Sequence, residues 1–151
     1  MRSLTLKNWK WTIGEGAPLA YMLGLNVLED EKLALETGTE LLRVTKGLGL
    51  SFVFKASFDK ANRSSIKSFR GLGLEQGLRV LEAVKAKLNL PVITDVHEPE
   101  HCDAVARVAD IVQIPAFLCR QTDLVVAAAR AVEKSGGLLH VKKGQFLAPW
   151  D

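Results

Sequence analysis

Residues 91–141 read PVITDVHEPEHCDAVARVADIVQIPAFLCRQTDLVVAAARAVEKSGGLLHV. The stretch holds three short apolar runs, Pro91–Thr94, Ile111–Ile114 and Leu138–Val141. Runs this short, rich in branched apolar residues, suit strands buried on both faces. Between them lie two stretches of helical pattern, from about Pro99 to Val108 and from about Asp123 to Lys134. Proline fits the first turn of a helix, where its missing N–H would have no partner, so Pro99 marks a start. Strands alternating with helices of 10–15 residues imply βαβ units and a parallel sheet.

The same alternation extends upstream. Leu74–Leu88 places Leu74, Leu78, Leu81, Val84 and Leu88 on one helical face, and Phe52–Phe54 reads as the strand before it. From Glu29 to Lys46, Leu33, Leu35, Leu41, Leu42 and Val44 follow a helical pattern closed by Gly47 and Gly49. Leu19–Leu23 is a continuous apolar run that suits a first strand buried on both faces. Before it, Leu4 and Leu6, then Trp9, Trp11 and Ile13, alternate with polar residues around Lys7-Asn8, the pattern of a short hairpin.

Each strand of the main series ends in polar residues: Asn26, Lys55-Ala-Ser57, Asp95-Val-His97, Gln113 and Lys142-Lys143. Parallel α/β folds bind ligands at the carboxyl ends of their strands, so five such endings argue for a site there. Periodicity leaves two architectures open. One is an open doubly wound sheet. The other is a (β/α)8 barrel, which needs about 250 residues, so that this chain would supply about five of its eight strands.

The chain has 151 residues, 48% apolar and 25% charged, which fits one globular domain and excludes disorder, collagen and coiled coil. No apolar run approaches the ~20 residues of a membrane helix, and the start lacks the apolar stretch of a secretory leader. Cys102 and Cys119 form no CxxC pair and no framework of four or six, as expected of a reducing cytoplasmic compartment. Twenty Lys and Arg against 17 Asp and Glu give a net charge of +3. That is compatible with an anionic small-molecule substrate. The basic residues form no run interleaved with aromatics, so nucleic acid is not expected as a partner, and neither is a membrane.

Three motif matches carry nothing. His97-Glu98-Pro99-Glu100-His101 fits H-E-x-x-H, but zinc chemistry needs both histidines on a formed helix, and Pro99 puts His97 in the loop before one. Gly71-Leu-Gly73-Leu-Glu-Gln-Gly77 has one residue too many for a dinucleotide fingerprint and follows a polar loop; its glycines shape a helix entry. Asn62-Arg63-Ser64 matches a glycosylation acceptor, which has no meaning without secretion. No phosphate-binding P-loop pattern occurs.

The informative segment is Lys55–Arg70, KASFDKANRSSIKSFR. It sets Lys55, Lys60, Arg63, Lys67 and Arg70 against one acid, Asp59, and adds hydroxyls at Ser57, Ser64, Ser65 and Ser68. Most βα loops run 2–6 residues, so this length points to function. Lysine point charges, arginine forks and hydroxyls are what a phosphate or carboxylate requires.

Four stretches in order, KASFDKANRSS at 55–65, TDVHEP at 94–99, QIPAFLCRQTDL at 113–124 and KKGQFLAPW at 142–150, resemble the 3-deoxy-D-manno-octulosonate 8-phosphate synthases, also called 2-dehydro-3-deoxyphosphooctonate aldolases. The likeness runs from about Leu19 to Asp151; one departure is Gly144, where that family commonly has proline. The resemblance implies an α/β fold of the TIM-type (β/α)8 kind, incomplete here, with residues 1–16 as an N-terminal β-hairpin and 17–151 as the first part of the barrel. It implies cytoplasmic enzymes, commonly tetrameric, that condense phosphoenolpyruvate with D-arabinose 5-phosphate and release phosphate for carbohydrate and lipopolysaccharide biosynthesis.

Carried over residue by residue, Lys55, Ser57, Lys60 and Gln145 would hold the phosphoenolpyruvate carboxylate region. Lys142, Arg120 and the backbone at Ala116 would hold its phosphate. Arg63 and Ser64 would take the sugar phosphate, with Asn62 and Asp95 on the sugar hydroxyls and Gln113 among the binding residues. Lys60 and His97 would handle protons, and Asn26 would belong to the catalytic set. No cofactor is implied. Members that use a divalent metal have a cysteine where this chain has Asn26, a poor ligand for soft or borderline metals, so metal independence is expected. The 151-residue chain by itself is expected to be a poor catalyst. The competing expectation is a non-catalytic module that binds a phosphosugar or associates with a partner chain.

Overall fold

The computed structural model describes residues 3–151. An antiparallel pair comes first, β1 (Leu4–Leu6) and β2 (Trp11–Ile13), registered Leu4 to Ile13 and Leu6 to Trp11. This pair is a hairpin, as expected near the start of the chain; residues 1 and 2 of the expected 1–16 segment lie outside the described residues. Trp9 differs from expectation: it belongs to a 3-10 turn, Lys7–Trp9, and not to the second strand. Lys10, at φ 49, completes the reversal.

Five parallel strands follow: β3 (Tyr21–Gly24), β4 (Phe52–Lys55), β5 (Val92–Asp95), β6 (Ile111–Ile114) and β7 (Leu138–Val141). They alternate with α1 (Glu31–Gly47), α2 (Leu74–Leu88), α3 (Cys102–Val108) and α4 (Thr122–Ser135). The first strand starts two residues later than Leu19, because pairing begins at Tyr21 opposite Phe52 and Leu19 stays 77% exposed. Nor is that strand buried on both faces: β3 and β7 are the sheet's two edges and their apolar side chains are at most half-buried. α1 starts at Glu31, not Glu29, because extended Asp30 caps it by accepting the Leu33 N–H at 2.7 Å. The stretch expected to be helical from Pro99 opens as a 3-10 turn, Pro99–His101, and α3 itself is only seven residues.

Strand order decides between the two architectures. The sheet runs β3-β4-β5-β6-β7 with no reversal, whereas a doubly wound sheet turns back at a switch point and carries helices on both faces. Here all four helices cover one face. Phe52, Phe54, Val92, Val112 and Ile114 pack there with Leu81 and Val84 of α2, Val105 of α3 and Ala128 and Val132 of α4. Among the described residues, the opposite face has no helix. Val53, Ile93 and Ile111 meet Leu6, Trp9, Trp11 and Ile13 of the hairpin. This is the (β/α)8 barrel arrangement, helices outside and strand interiors within, built here from four βα units and a fifth strand.

The hairpin is bolted to that interior at its amino-terminal end. Asp110, 6% exposed, accepts from Trp9 Nε1 at 2.8 Å, Lys85 Nζ at 2.9 Å and the Val92 N–H at 2.9 Å. A carboxylate that accepts three donors offsets most of its desolvation. Among the described residues, no helix is long and apolar enough to cross a membrane.

Candidate active site

Strand alternation sorts side chains onto two faces, so inner positions recur every second residue; register aligns them across the sheet except between β4 and β5, where Lys55 pairs with Ile93. Met22, Val53, Ile93, Ile111 and Leu138 form an apolar layer above the hairpin. Two residues on, the inner positions are Gly24, Lys55, Asp95, Gln113 and His140. Asp95 pairs in register with Gln113, and Gln113 with His140. The interior thus changes from dry to polar within one pleat.

Gly24 completes the row for a steric reason. Its φ is 151, and a Cβ there would stand 2.2 Å from the Lys55 carbonyl oxygen. That closeness lets the Leu25 N–H donate to the Lys55 carbonyl at 2.8 Å, and it sets Asn26 beside the barrel mouth.

A cleft of about 590 Å³ opens above the polar row, within the usual size for small-molecule sites. Asn26, Lys55, Lys60, Asn62, Arg63, Asp95, His97, Gln113, Ala116, Lys142 and Gln145 line it, all of them residues named from sequence. Three others named from sequence do not. Ser57 is fully buried and accepts from Lys60 Nζ at 2.9 Å, so it holds that ammonium from beneath. Ser64 and Arg120 are exposed and lie outside the lining. Phe117 and Leu118 line the cleft but were not anticipated, since in sequence they read as apolar filler of a loop. His140 was also missed; the signal was its two-residue spacing between Leu138 and Lys142.

The electrostatics are lopsided. Lys55, Lys60, Arg63 and Lys142 face the cleft against one carboxylate, Asp95. Burial lowers the Lys55 pKa; Asp95 opposes that, while Lys60 and Lys142 reinforce it. Burial also opposes ionisation of Asp95. The His97 ring, with Nε2 3.3 Å from Oδ2, the Ser57 hydroxyl and Lys55 outweigh it and hold the carboxyl at about 2. Burial, then Lys142 and Lys55, push the His140 pKa down, which favours a neutral imidazole. Asp95 Oδ1 and His97 Nδ1 are buried and make no hydrogen bond among the described residues.

Neighbouring features separate from the site. Lys143, paired with Lys142 in sequence, turns away to donate to the Gly144 and Leu147 carbonyls. Gly144 has no left-handed φ; Leu147 and Cys119 side chains crowd its α-carbon instead. His97 lies in the loop before the 3-10 turn and His101 at the end of that turn, so the two do not share a helix face as zinc-protease histidines must. Both rings instead pack in T-shaped contact with Phe58, each at 5.8 Å between centroids. Burial, with Asp103 and Glu100, pushes the Cys102 thiol up to about 11, which leaves it inert at neutral pH.

The chain is similar to known proteins over nearly its whole length. The chain is 56% identical over 142 residues to a 2-dehydro-3-deoxyphosphooctonate aldolase of Synechococcus, covering 94% of this chain and 49% of that one. It is 51% identical over 149 residues to the Pseudomonas savastanoi protein of the same name, covering 99% and 52%, and 51% identical over 146 residues to that of Francisella tularensis, covering 97% and 52%. The chain spans about half the length of these curated relatives. A profile of the DAHP synthetase I family matches residues 3–151, and the chain belongs to that family.

Proposed function

We propose that this chain carries a site for condensing phosphoenolpyruvate with D-arabinose 5-phosphate, giving 3-deoxy-D-manno-octulosonate 8-phosphate and inorganic phosphate. The observation that supports it most is the convergence of Lys55, Lys60, Arg63 and Lys142 around the Asp95–His97 pair in one cleft. Two phosphates and a carboxylate enter such a site only if fixed cations replace their hydration.

In this reading Lys55, Lys60 and Gln145 bind the phosphoenolpyruvate carboxylate region, and Lys142 with the Ala116 backbone binds its phosphate. Arg63 reaches the sugar phosphate, and Asn62, Gln113 and Asp95 orient substrate hydroxyls; buried Asp95 Oδ1 is free to accept one. Ser57 acts through Lys60. Arg120 and Ser64 join only if their exposed side chains swing inward. The enol carbon bonds to the sugar aldehyde carbon, whose oxygen takes a proton. Water then adds at C2 and phosphate leaves. Lys60 and His97 are placed to move these protons, and Asn26 to hold the attacking water. The work is mainly positioning and charge stabilisation.

The same reading puts the protein in the cytoplasm, with small-molecule substrates and without nucleic-acid or membrane partners. Ile66, Phe117, Phe146 and Trp150, all strongly exposed on the loops around the cleft, support a homo-oligomer, tetrameric as in the family. Titration calorimetry of the purified protein with each substrate, alongside phosphate release, tests the proposal. Binding of both is expected, and failure to bind either overturns it.

A further inference from the structure

The basic loop between β4 and α2 is fastened at its neck by rungs of hydrogen bonds. Gly73 N–H donates to the Phe58 carbonyl at 3.1 Å, Lys60 N–H to the Arg70 carbonyl at 2.7 Å, and Arg63 Nε to the Phe69 carbonyl at 3.0 Å. Beside the middle rung, Arg70 grips Asp59 with both arms, Nε to Oδ1 at 2.8 Å and Nη2 to Oδ2 at 2.5 Å. Asp59 is the segment's only acid, so Arg70 is neutralised and turned toward the neck. Arg63 spends one donor on Phe69, and its remaining guanidinium donors make no hydrogen bond among the described residues.

We propose that Asp59 and Arg70 are positioning residues: their forked pair latches the neck of loop 60–70 and thereby aims Arg63 and Asn62 into the cleft. The inference rests on the substrate reading above, which assigns Arg63 to the sugar phosphate. A fork is required because two parallel N–H···O bonds fix direction as well as distance, which a lysine cannot do. Phosphoenolpyruvate depends on the latch far less: Lys55 and Lys142 hold it from the strand ends, and the Lys60 ammonium is fixed separately by donating to the Ser57 hydroxyl at 2.9 Å.

The test is a double-mutant cycle with Asp59→Ala, Arg70→Ala and the pair, each titrated with D-arabinose 5-phosphate and with phosphoenolpyruvate. Amide hydrogen exchange at Lys60 is followed in parallel. Each single variant is expected to weaken arabinose 5-phosphate about three- to fivefold, the scale of a partly exposed ion pair, and phosphoenolpyruvate less than about twofold. The double variant is expected to match the singles, because one latch is lost in all three. Exchange at Lys60 is expected to rise by about the same factor. Additive losses, or a larger loss for Arg70→Ala than for Asp59→Ala, overturn the proposal by showing that Arg70 contacts substrate itself. Unchanged arabinose 5-phosphate affinity also overturns it. If the unmutated protein binds neither ligand, the substrate reading fails; exchange at Lys60 then decides on the latch, with faster exchange in both singles supporting it and unchanged exchange refuting it.

Discussion

Replacing Asp95 by asparagine tests the electrostatics of the polar row through stability alone, independently of catalysis. The carboxyl is 5% exposed. Burial raises its pKa, yet the His97 ring, the Ser57 hydroxyl and Lys55 bring it to about 2, against an ordinary 3.8. That gap corresponds to roughly 2–3 kcal/mol of preference for the folded state by the ionised form. A lowered folded pKa stabilises above the unfolded value, so the contribution is full above about pH 5. It is lost as pH falls from 3.8 through about 2. Asparagine resembles the protonated acid in shape and charge. Asp95→Asn is therefore expected to lower stability by about 2 kcal/mol at pH 7, or roughly 1 M in urea midpoint for a chain of this size. At pH 2.5 the deficit should shrink to roughly a third of its value at pH 7, with convergence only below about pH 2. Urea titrations followed by circular dichroism at both pH values provide the measurement. Equal midpoints at pH 7, or a deficit of the same size at both pH values, would refute the reasoning.

Four further outcomes are expected. On the proposed reading, Arg63→Ala should weaken binding of arabinose 5-phosphate far more than that of phosphoenolpyruvate; equal losses in titration calorimetry would contradict the division of labour. On the proposed reading, exhaustive chelation should leave substrate binding and any turnover unchanged, since Asn26, a poor ligand for soft or borderline metals, lines the cleft; loss restored by manganese or zinc would show a metal requirement. Gly77→Ala should destabilise by about 1–3 kcal/mol despite alanine's better helix propensity, because the new Cβ would stand 2.3 Å from Phe58 Cβ; thermal denaturation gives the sign. Asp110→Ala should cost about 3 kcal/mol and red-shift tryptophan fluorescence, as Trp9 Nε1, Lys85 and the Val92 N–H lose their shared acceptor in a buried position.

The sequence by itself determined the alternation of elements. β6 and β7 fall on the residues expected because Ile111–Ile114 and Leu138–Val141 are bounded by Asp110, Pro115 and Gly136-Gly137, and α2 runs over the whole predicted Leu74–Leu88. Local chemistry, apolar period and breakers suffice for that. The polar residues ending each strand were equally legible, since a parallel sheet gives all those ends one side.

Tertiary structure decided what depends on neighbours distant in sequence. Open sheet and barrel share the same local pattern; only the unreversed order, with every helix on one face and the hairpin on the other, separates them. The start of β3 was set by its partner Phe52, not by the apolar run that begins at Leu19. Among five cations of the basic loop, composition could not tell which keeps a free charge. The fold spends Arg70 on Asp59, 11 residues away, and leaves Arg63 facing the cleft. Ser57 was assigned to the carboxylate region by family resemblance. The fold buries it just beyond β4, where it accepts from Lys60 Nζ and bonds Asp95, and so acts through its neighbours.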